Sequence, residues 1–222
     1  MTLGIVAADP YELAPFAKQL AHCEGFTQVN RQAARGETAA GDAVRMTAFG
    51  PGFRAATRAA NAILAAGPVD LLISTGTCGA LDPQLQLRDI VVDARFTQPQ
   101  TEMGYRRGAI VSQDRVASTA DEKRTLARQG VAVEMESAAV REVAEHHHVK
   151  FACIKCVSDT AHESLPLDFN GYRANDGGFS KWRIVAALLA SPFRLIPAIG
   201  QLQRQSREAA ETLGGFLAGC RF

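Results

Sequence analysis

The sequence predicts an α/β protein whose mostly parallel sheet carries helices on its faces. Short apolar runs of strand length alternate along the chain with longer segments that have apolar residues at helical spacing. Strands that are separated by a helix usually lie parallel in one sheet. The 222 residues suffice for one such domain with a sizeable core, and the sequence contains no repeat or linker. We therefore expect a single domain over residues 1–222.

The order of the apolar runs gives the predicted elements. A strand at the N-terminus leads into a helix that has Asp9 as its N-cap and Pro10 at its first position. The later predicted elements are a polar hairpin (31–41), a strand (44–49), a helix (54–66), a strand that runs into a glycine-rich turn (71–80), two strands (89–94 and 109–112), a charged segment (121–128), a strand that turns into a helix (131–145) and a last apolar strand (150–157).

Composition excludes several classes of protein. A formal charge of +1 gives no reason to expect nucleic acid as a partner. The N-terminal residues lack the basic region and the long apolar core of a signal peptide. The five cysteines are odd in number and scattered, which is typical of free thiols in a reducing cytoplasm. We therefore expect a cytoplasmic protein.

Carboxylates at predicted strand ends are the candidate functional groups. Glu134 and Glu136 bracket Met135 where a strand gives way to a helix, and Asp159 follows the next apolar run. Glu12 falls in the first turn of the first helix. Acids are favoured at a helix start by the macrodipole alone, so a purely structural explanation stands beside a functional one. In the functional interpretation, one acid of the Glu134–Glu136 pair faces a cleft and binds paired hydroxyls of a ligand.

These residues are expected to meet at one edge of the sheet. Glu12, residues 50–52, residues 75–79, residues 134–136 and Asp159 all lie at the carboxyl ends of predicted strands. In sheets of this kind ligands bind beyond those ends. Glycines in the two loops let backbone approach a ligand closely. The sequence therefore predicts a ligand site built on carboxylates.

Cofactor and metal sites are not indicated. Residues 50–55 fit a dinucleotide fingerprint, but the acid about twenty residues on, Asp70, precedes a strand instead of ending one. Cys153 and Cys156 lie three apart in a predicted strand, so they point to opposite faces. Residues 146–148 are three histidines at a helix end, where cationic side chains suit the dipole. We expect neither a cofactor nor a metal ion.

Five motifs together resemble the nucleoside phosphorylase/nucleosidase superfamily, and most of all its methylthioadenosine/S-adenosylhomocysteine nucleosidases. They are Gly4-Ile-Val-Ala-Ala with Glu12, Ser74-Thr-Gly-Thr-Cys-Gly-Ala-Leu, Asp89-Ile-Val-Val, Val133-Glu-Met-Glu-Ser-Ala-Ala and Val157-Ser-Asp-Thr-Ala. The resemblance implies a three-layer αβα sandwich with a mixed, mostly parallel central sheet. It also implies cleavage of the N-glycosidic bond of a purine nucleoside, in a homodimer or larger homo-oligomer.

The resemblance assigns roles by motif. Asp159 would protonate or hydrogen-bond N7 of the leaving purine, Glu136 would bind the ribose hydroxyls, and Glu12 would orient the attacking water. An oxocarbenium-like sugar is stabilised by nearby carboxylates, and a purine leaves more readily once its ring nitrogen is protonated. Val116 stands where the family commonly stacks a phenylalanine on the base. The candidate substrate-binding residues are Met135, Glu134, Gly76, Thr77, Gly50, Val116 and Ser158.

The attacking group is expected to be water. Phosphorylases of this superfamily carry an arginine after an N-terminal Gly-Asp-Pro motif and another just before the glycine turn. Here those positions hold Tyr11-Glu12 and Thr75, and a phosphate dianion without cations is poorly held beside carboxylates. Arg54 and Lys155 are cations elsewhere in the sequence, so phosphorolysis stays an open alternative.

Two departures resemble the hopanoid-associated branch of the superfamily. The connection between residues 94 and 109 is short, which suggests a site open at the 5′ side of the ribose, and the segment 181–222 is apolar and basic. That branch implies adenosylhopane as substrate in hopanoid side-chain biosynthesis, with peripheral membrane contact through residues 181–200. In the other interpretation, the helices of residues 181–222 simply cover the sheet. Alternatives for the whole chain are a methylthioadenosine/S-adenosylhomocysteine nucleosidase, a purine nucleoside phosphorylase, and a non-catalytic nucleoside- or lipid-binding protein. Residues 96–105 are the predicted contact with a neighbouring subunit.

Overall fold

The sheet is the centre of the computed structural model, which describes residues 1–25, 33–174 and 179–222. Its strands are β1 (Thr2–Ala7), β2 (Ala21–Gly25), β3 (Ala33–Glu37), β4 (Ala43–Ala48), β5 (Leu71–Ser74), β6 (Thr77–Ala80), β7 (Ile90–Asp93), β8 (Arg106–Gly108), β9 (Ile110–Ser112), β10 (Ala132–Glu134) and β11 (Lys150–Asp159). The helices are α1 (Pro10–Ala17), α2 (Phe53–Ala65), α3 (Ala120–Leu126), α4 (Ser137–His146), α5 (Lys181–Ala190) and α6 (Pro192–Ala218), with a 3₁₀ turn at Phe169–Tyr172.

The strands follow one path in the order β2-β3-β4-β1-β5-β11-β6-β10-β9, and β7 joins β11 to β8. The pairs of β1 with β4 and β5, and of β11 with β5 and β6, are parallel. Antiparallel pairs occur at β2-β3-β4, at β6 with β10 and at β7 with β11. The sheet is therefore mixed and mostly parallel, which confirms the predicted fold class.

Two apolar clusters, one on each face of the sheet, make the three layers. Leu13 of α1 and Phe216 of α6 belong to the first cluster, and Ile63 of α2 and Val140 of α4 belong to the second. Neighbouring residues of a strand point to opposite faces, so β11 contributes to both clusters. Its cysteines divide in this way, as predicted: Cys156 lies in the first cluster and Cys153 in the second.

Three local predictions differ from the structure. The predicted glycine-rich turn after β5 is only the link Thr75–Gly76, and the chain then continues as β6. The polar connection before β9 contains β8, and the charged segment forms α3 with a capping box between Thr119 and Glu122. The start of the predicted hairpin, at residues 31 and 32, lies outside the described residues. Short polar strands were missed because they lack the apolar alternation that marks a half-buried strand.

The C-terminal segment buries apolar side chains in one part and exposes them in another. The second half of α6 covers the sheet, with Ala209, Leu213 and Phe216 fully buried. The junction of α5 and α6 instead leaves large apolar side chains in solvent: Leu189 is 76% exposed and Phe193 is 97% exposed. Within the described part of the chain, no helix has the length and apolar character needed to cross a membrane.

The predicted subunit contact at residues 96–105 is largely occupied within the chain. Phe96 packs edge-on against Phe151, and Tyr105 packs in the same way against Phe216. Met103, which is 43% exposed, is the large apolar side chain of this segment that remains in solvent. Phe96 and Tyr105 are each partly exposed, so the contact with a neighbouring subunit stays a prediction.

Candidate active site

A cavity of about 360 Å³ opens beyond the carboxyl ends of the parallel strands. Eight of the ten predicted site residues line this cavity, all except Gly50 and Gly76. The eight are Glu12, Thr77, Val116, Glu134, Met135, Glu136, Ser158 and Asp159. The carboxylates come from α1, β10 and β11, elements that are far apart in the chain. The structure thus brings together the residues that the pattern of strand ends had grouped.

Gly50 and Gly76 do not line the cavity, and their role as substrate contacts stays a prediction. The N–H of Gly50 donates to the carbonyl of Ala8, 2.9 Å away, and Pro51 is the neighbour that lines the cavity. Gly76 has φ +120°, and a Cβ there would lie 2.9 Å from Oε1 of Glu12. A side chain at residue 76 would therefore displace the Glu12 carboxylate.

Glu12 is held by four hydrogen-bond donors. Its Oε2 accepts from the N–H groups of Ala8 (3.1 Å) and Asp9 (3.0 Å), which completes a capping box with Asp9 at the start of α1. Its Oε1 accepts from the N–H (2.8 Å) and the hydroxyl (2.9 Å) of Thr77. A carboxylate has about four acceptor sites. A water molecule can bind to Glu12 once the Thr77 hydroxyl, the one donor that rotates, turns away.

Asp159 ends β11 at a β-bulge. Val157 lies opposite Cys78 of β6 and Asp159 lies opposite the next residue, Gly79, so Ser158 is the extra residue. Bulges of this kind redirect side chains and are frequent beside active sites. Oδ1 of Asp159 lies 2.9 Å from the Ser158 hydroxyl, and Oδ2 accepts from Nζ of Lys123 at 2.5 Å.

Glu134 and Glu136 differ in what they bind. Glu134 accepts from the N–H groups of Glu136 and Ser137 and from the Ser137 hydroxyl at 2.7 Å, so it caps the first turn of α4. Glu136 accepts from the N–H of Gly52 at 2.9 Å. The structural explanation therefore fits Glu134, while Glu136 is the acid of this pair that is available to a ligand in the cavity.

Lys155 is a buried cation between these two acids. Its Nζ lies 2.9 Å from Oε2 of Glu134, 2.9 Å from the carbonyl of Thr75 and 3.9 Å from Oε2 of Glu136. Burial alone would raise the pKa of Glu134, but Lys155 and the hydrogen bonds hold it below its usual range. Burial raises the pKa of Glu136 to about 7, and the charge of Glu134 adds to this effect.

The pKa of Glu136 leads to a predicted pH dependence. The ionised carboxylate is the stronger acceptor for the two hydroxyls and alone stabilises positive charge on the sugar, so we expect kcat/KM for a ribonucleoside to fall as pH drops through about 7. Well below that pH the decline is about tenfold per pH unit. Glu136→Gln should lower kcat/KM and remove this acid limb, whereas Glu145→Gln, at an exposed position of the same helix, should leave both unchanged. An acid limb that persists in Glu136→Gln would contradict the assignment.

Cations offer little support for a phosphate in this cavity. Among the described residues that line the cavity, Arg115 is the one with a cationic side chain. Its guanidinium pairs with Glu122. Arg54 is exposed and lies outside the lining, and Lys155 is engaged by Glu134 and Thr75. Arg54 and Lys155 were the reason for keeping phosphorolysis as an alternative, and neither is placed to hold a free phosphate in the cavity.

The main chain of Val116 offers a donor and an acceptor at the cavity. The Asn170 carboxamide engages both: its Oδ1 accepts from the Val116 N–H and its Nδ2 donates to the Val116 carbonyl, each at 2.9 Å. A purine edge that carries an amino group beside a ring nitrogen has the same pattern of donor and acceptor. A base could therefore use this edge of Val116 only by displacing the Asn170 carboxamide, and Val116 has no aromatic ring to stack on a base.

Sequence reasoning gave Tyr11 and Lys123 no role in this site, and it named Gly52 only as part of a loop and Lys155 only as a free cation. Tyr11 lines the cavity, Gly52 binds Glu136, and the buried lysines 123 and 155 bind Asp159 and Glu134. Lysine within an apolar strand was a usable signal for Lys155, since an unpaired charge is not buried there. Lys123 stands in a segment rich in charged residues, and nothing local distinguishes it from its exposed neighbours. The described residues contain no group of three or more His, Cys, Asp or Glu side chains placed to hold a metal ion.

Comparison with known proteins decides the family. The model of the phosphorylase superfamily matches residues 2–109 and 93–189 of the chain. The chain belongs to the phosphorylase superfamily. Among its relatives in this superfamily are the 5′-methylthioadenosine/S-adenosylhomocysteine nucleosidases of Tolumonas auensis, at 26% identity, and Shewanella sediminis, at 25%. Each alignment covers 85% of this chain and 99% of the relative.

Solved structures of the superfamily share the fold. The S-adenosylhomocysteine nucleosidase of Streptococcus pyogenes superposes with a TM-score of 0.70 at 17% identity, covering 99% of this chain and 95% of that one. A futalosine hydrolase of Helicobacter pylori gives the same TM-score and identity, covering 99% of this chain and 97% of that one. At such identity the superpositions establish the sandwich architecture, and substrate has to be argued from the cavity.

Proposed function

We propose that the protein hydrolyses the N-glycosidic bond of a 5′-modified adenosine and releases adenine. The observation that supports this most is the placement of Glu12, Glu136 and Asp159 around one cavity at the carboxyl end of the sheet. Three carboxylates suit a reaction in which positive charge develops on a sugar ring. The nucleosidases among the relatives act on nucleosides of this kind by name.

Each carboxylate has a separate task in this proposal. As the bond between C1′ and N9 breaks, its electron pair moves into the purine and Asp159 gives a proton to N7. Glu136 accepts hydrogen bonds from the ribose hydroxyls, and Met135 packs on the sugar. A water molecule, oriented by Glu12, forms the new bond to C1′ and gives a proton to the Glu12 carboxylate, which passes it to solvent, and Asp159 takes up a proton from solvent for the next turnover. Water is preferred to phosphate because, of the residues that the structure describes, Arg115 is the cation that lines the cavity, and it is already paired with Glu122.

The group on the 5′ carbon is proposed to be a hopane, so that the natural substrate is adenosylhopane. The exposed apolar side chains at the α5–α6 junction support this proposal, because they form a surface suited to lipid: Leu189, Phe193 and Ile196, with Arg194 beside them. We propose that this surface meets the membrane and that the protein works as a homo-oligomer. A methylthioadenosine/S-adenosylhomocysteine nucleosidase is the second candidate, because the relatives carry that name over their full length.

The test is adenine release from adenosylhopane in lipid vesicles and, in parallel, from methylthioadenosine, each with and without phosphate. We expect turnover of the lipid and no effect of phosphate. In a variant that carries both Leu189→Glu and Phe193→Glu, the rate of adenine release from the vesicle-borne substrate should fall several-fold. The rate with methylthioadenosine should not change, because both positions are exposed. Gln203→Glu, at an exposed position further along α6, is the matched control for the added charge.

The other outcomes separate the alternatives. Rapid turnover of methylthioadenosine with no turnover of the lipid would make the protein a general nucleosidase. A rate that requires phosphate would make it a phosphorylase. Binding of either nucleoside without adenine release, by a folded protein, would favour the non-catalytic binding protein.

A further inference from the structure

Lys123 is a buried lysine whose ammonium lies against the candidate acid. It comes from α3, in which charged residues predominate, yet its side chain is 0% exposed. Its Nζ donates to Oδ2 of Asp159 (2.5 Å), to the carbonyl of Thr160 (2.7 Å) and to the carbonyl of Glu163 (3.0 Å). An ammonium has three hydrogens, so these partners use all of them.

Stability alone is a weak reason for this ion pair. Removing a lysine ammonium from water costs free energy that its partners only partly return, and buried ion pairs are often no more stable than apolar residues of similar volume. The pair does link α3 to the chain that follows β11. A neutral donor could serve the carbonyls of Thr160 and Glu163, whereas only a cation also balances the charge of the carboxylate that lines the cavity.

The two oxygens of Asp159 have different surroundings. Oδ2 faces the ammonium of Lys123, which can only donate. Oδ1 faces the Ser158 hydroxyl at 2.9 Å, and that hydroxyl also lies 3.2 Å from the carbonyl of Cys78. The hydroxyl has one hydrogen for these two acceptors. When Oδ1 carries a proton and no base is bound, that proton donates to Ser158, which then donates to Cys78. A bound purine draws the proton of Oδ1 to N7 instead, and after the proton leaves, the Ser158 hydrogen turns back to Oδ1.

We propose that Lys123 is a positioning residue for the departure of the base, which rests on the proposed hydrolysis of an adenine nucleoside. It keeps Oδ2 unprotonated, so that the transferable proton resides on Oδ1. It also balances the negative charge that Asp159 acquires when this proton moves to N7 and the bond between C1′ and N9 breaks. Lys123 itself neither gains nor loses a proton and touches no substrate atom.

The test compares two leaving groups. Adenine needs a proton to leave, whereas the nitrophenolate of 4-nitrophenyl β-D-ribofuranoside leaves without one. We expect Lys123→Met to lower kcat for the adenine nucleoside on the order of 10²-fold and to leave KM and the nitrophenyl riboside rate within about threefold. Lys123→Arg, which keeps the cation but moves it, should show the same selectivity with a smaller loss. Equal losses on both leaving groups, or no loss on the nucleoside, would overturn the proposal.

A second measurement decides the matter if Lys123→Met is poorly folded or the nitrophenyl riboside is not cleaved. Adding Lys123→Met to Asp159→Asn removes both charges of the pair, so the double variant buries no unpaired ion. We expect its residual rate to equal that of Asp159→Asn, because Lys123 acts only through Asp159. A further fall would contradict the role of Lys123 while leaving the hydrolysis standing. A wild-type protein that releases no adenine would overturn both.

Discussion

Asp159→Asn is expected to lower adenine release by about 10²- to 10⁴-fold, the range that a positioned general acid contributes. The amide fills the same space but carries no proton that it can give to the purine. The Ser158 hydroxyl and the Lys123 ammonium would still lie beside residue 159, so binding of the nucleoside should change far less than kcat. The measurement is single-turnover adenine release at saturating nucleoside.

The fold of this variant has to be checked, because Asn leaves the buried Lys123 without its counter-charge. Thermal unfolding of Asp159→Asn and of the double variant with Lys123→Met separates loss of the acid from loss of the fold. Asp82→Asn, outside the cavity, is the matched control and should keep full activity. An Asp159→Asn protein as active as the wild type would remove Asp159 from the mechanism.

Lys155→Met should destabilise the protein by about 3–5 kcal/mol, the cost of leaving a buried charge without its partner. Lys155 is fully buried between Glu134 and Glu136, and methionine supplies the length of the side chain without the charge. Lys150→Met is the matched control, since Lys150 stands exposed at the start of the same strand. Unfolding in urea, followed by circular dichroism, measures the difference in the free energy of unfolding.

A second substitution tests why Lys155→Met lowers the free energy of unfolding. If the unpaired Glu134 carboxylate causes the destabilisation, Glu134→Gln added to Lys155→Met should restore part of the stability, because it removes the buried charge. Equal unfolding free energies for Lys155→Met and Lys150→Met would contradict the buried ion pair. Stability that falls further in the double variant would show that packing, and not charge, is what the methionine disrupts.

The fold class could be predicted because the spacing of apolar residues indicates the alternation of strands and helices. The cavity could be predicted because parallel strands bring their carboxyl ends to one edge, which placed Glu12, Glu136 and Asp159 together. The roles of the glycines near the cavity were harder to predict. Gly50, Gly52 and Gly76 look alike in sequence, yet only the N–H of Gly52 reaches a cavity carboxylate. Which glycine faces a ligand depends on backbone angles that the sequence does not specify.

Long-range partners account for most of what sequence missed. Lys123 and Asp159 stand 36 residues apart, and no local periodicity links a lysine in a charged helix to an acid at a strand end. Glu134 and Glu136 looked equivalent beside Met135. Their separation into a helix cap and a cavity acid follows from the partners of each side chain, which only the folded chain defines.

β11 spans 10 residues, and its successive parts pair with β5, β7 and β6. Both Lys155 and Asp159 lie on it. Amide hydrogens at the centre of such a strand exchange with solvent only when the whole domain opens. Lys155 stands at the centre of β11 and is expected to lie in the part of the protein with the slowest hydrogen exchange, and Asp159 extends from that part at the end of the strand. Motions that admit a nucleoside and release a base have to come from the loops that face this strand, and they leave the strand itself in place.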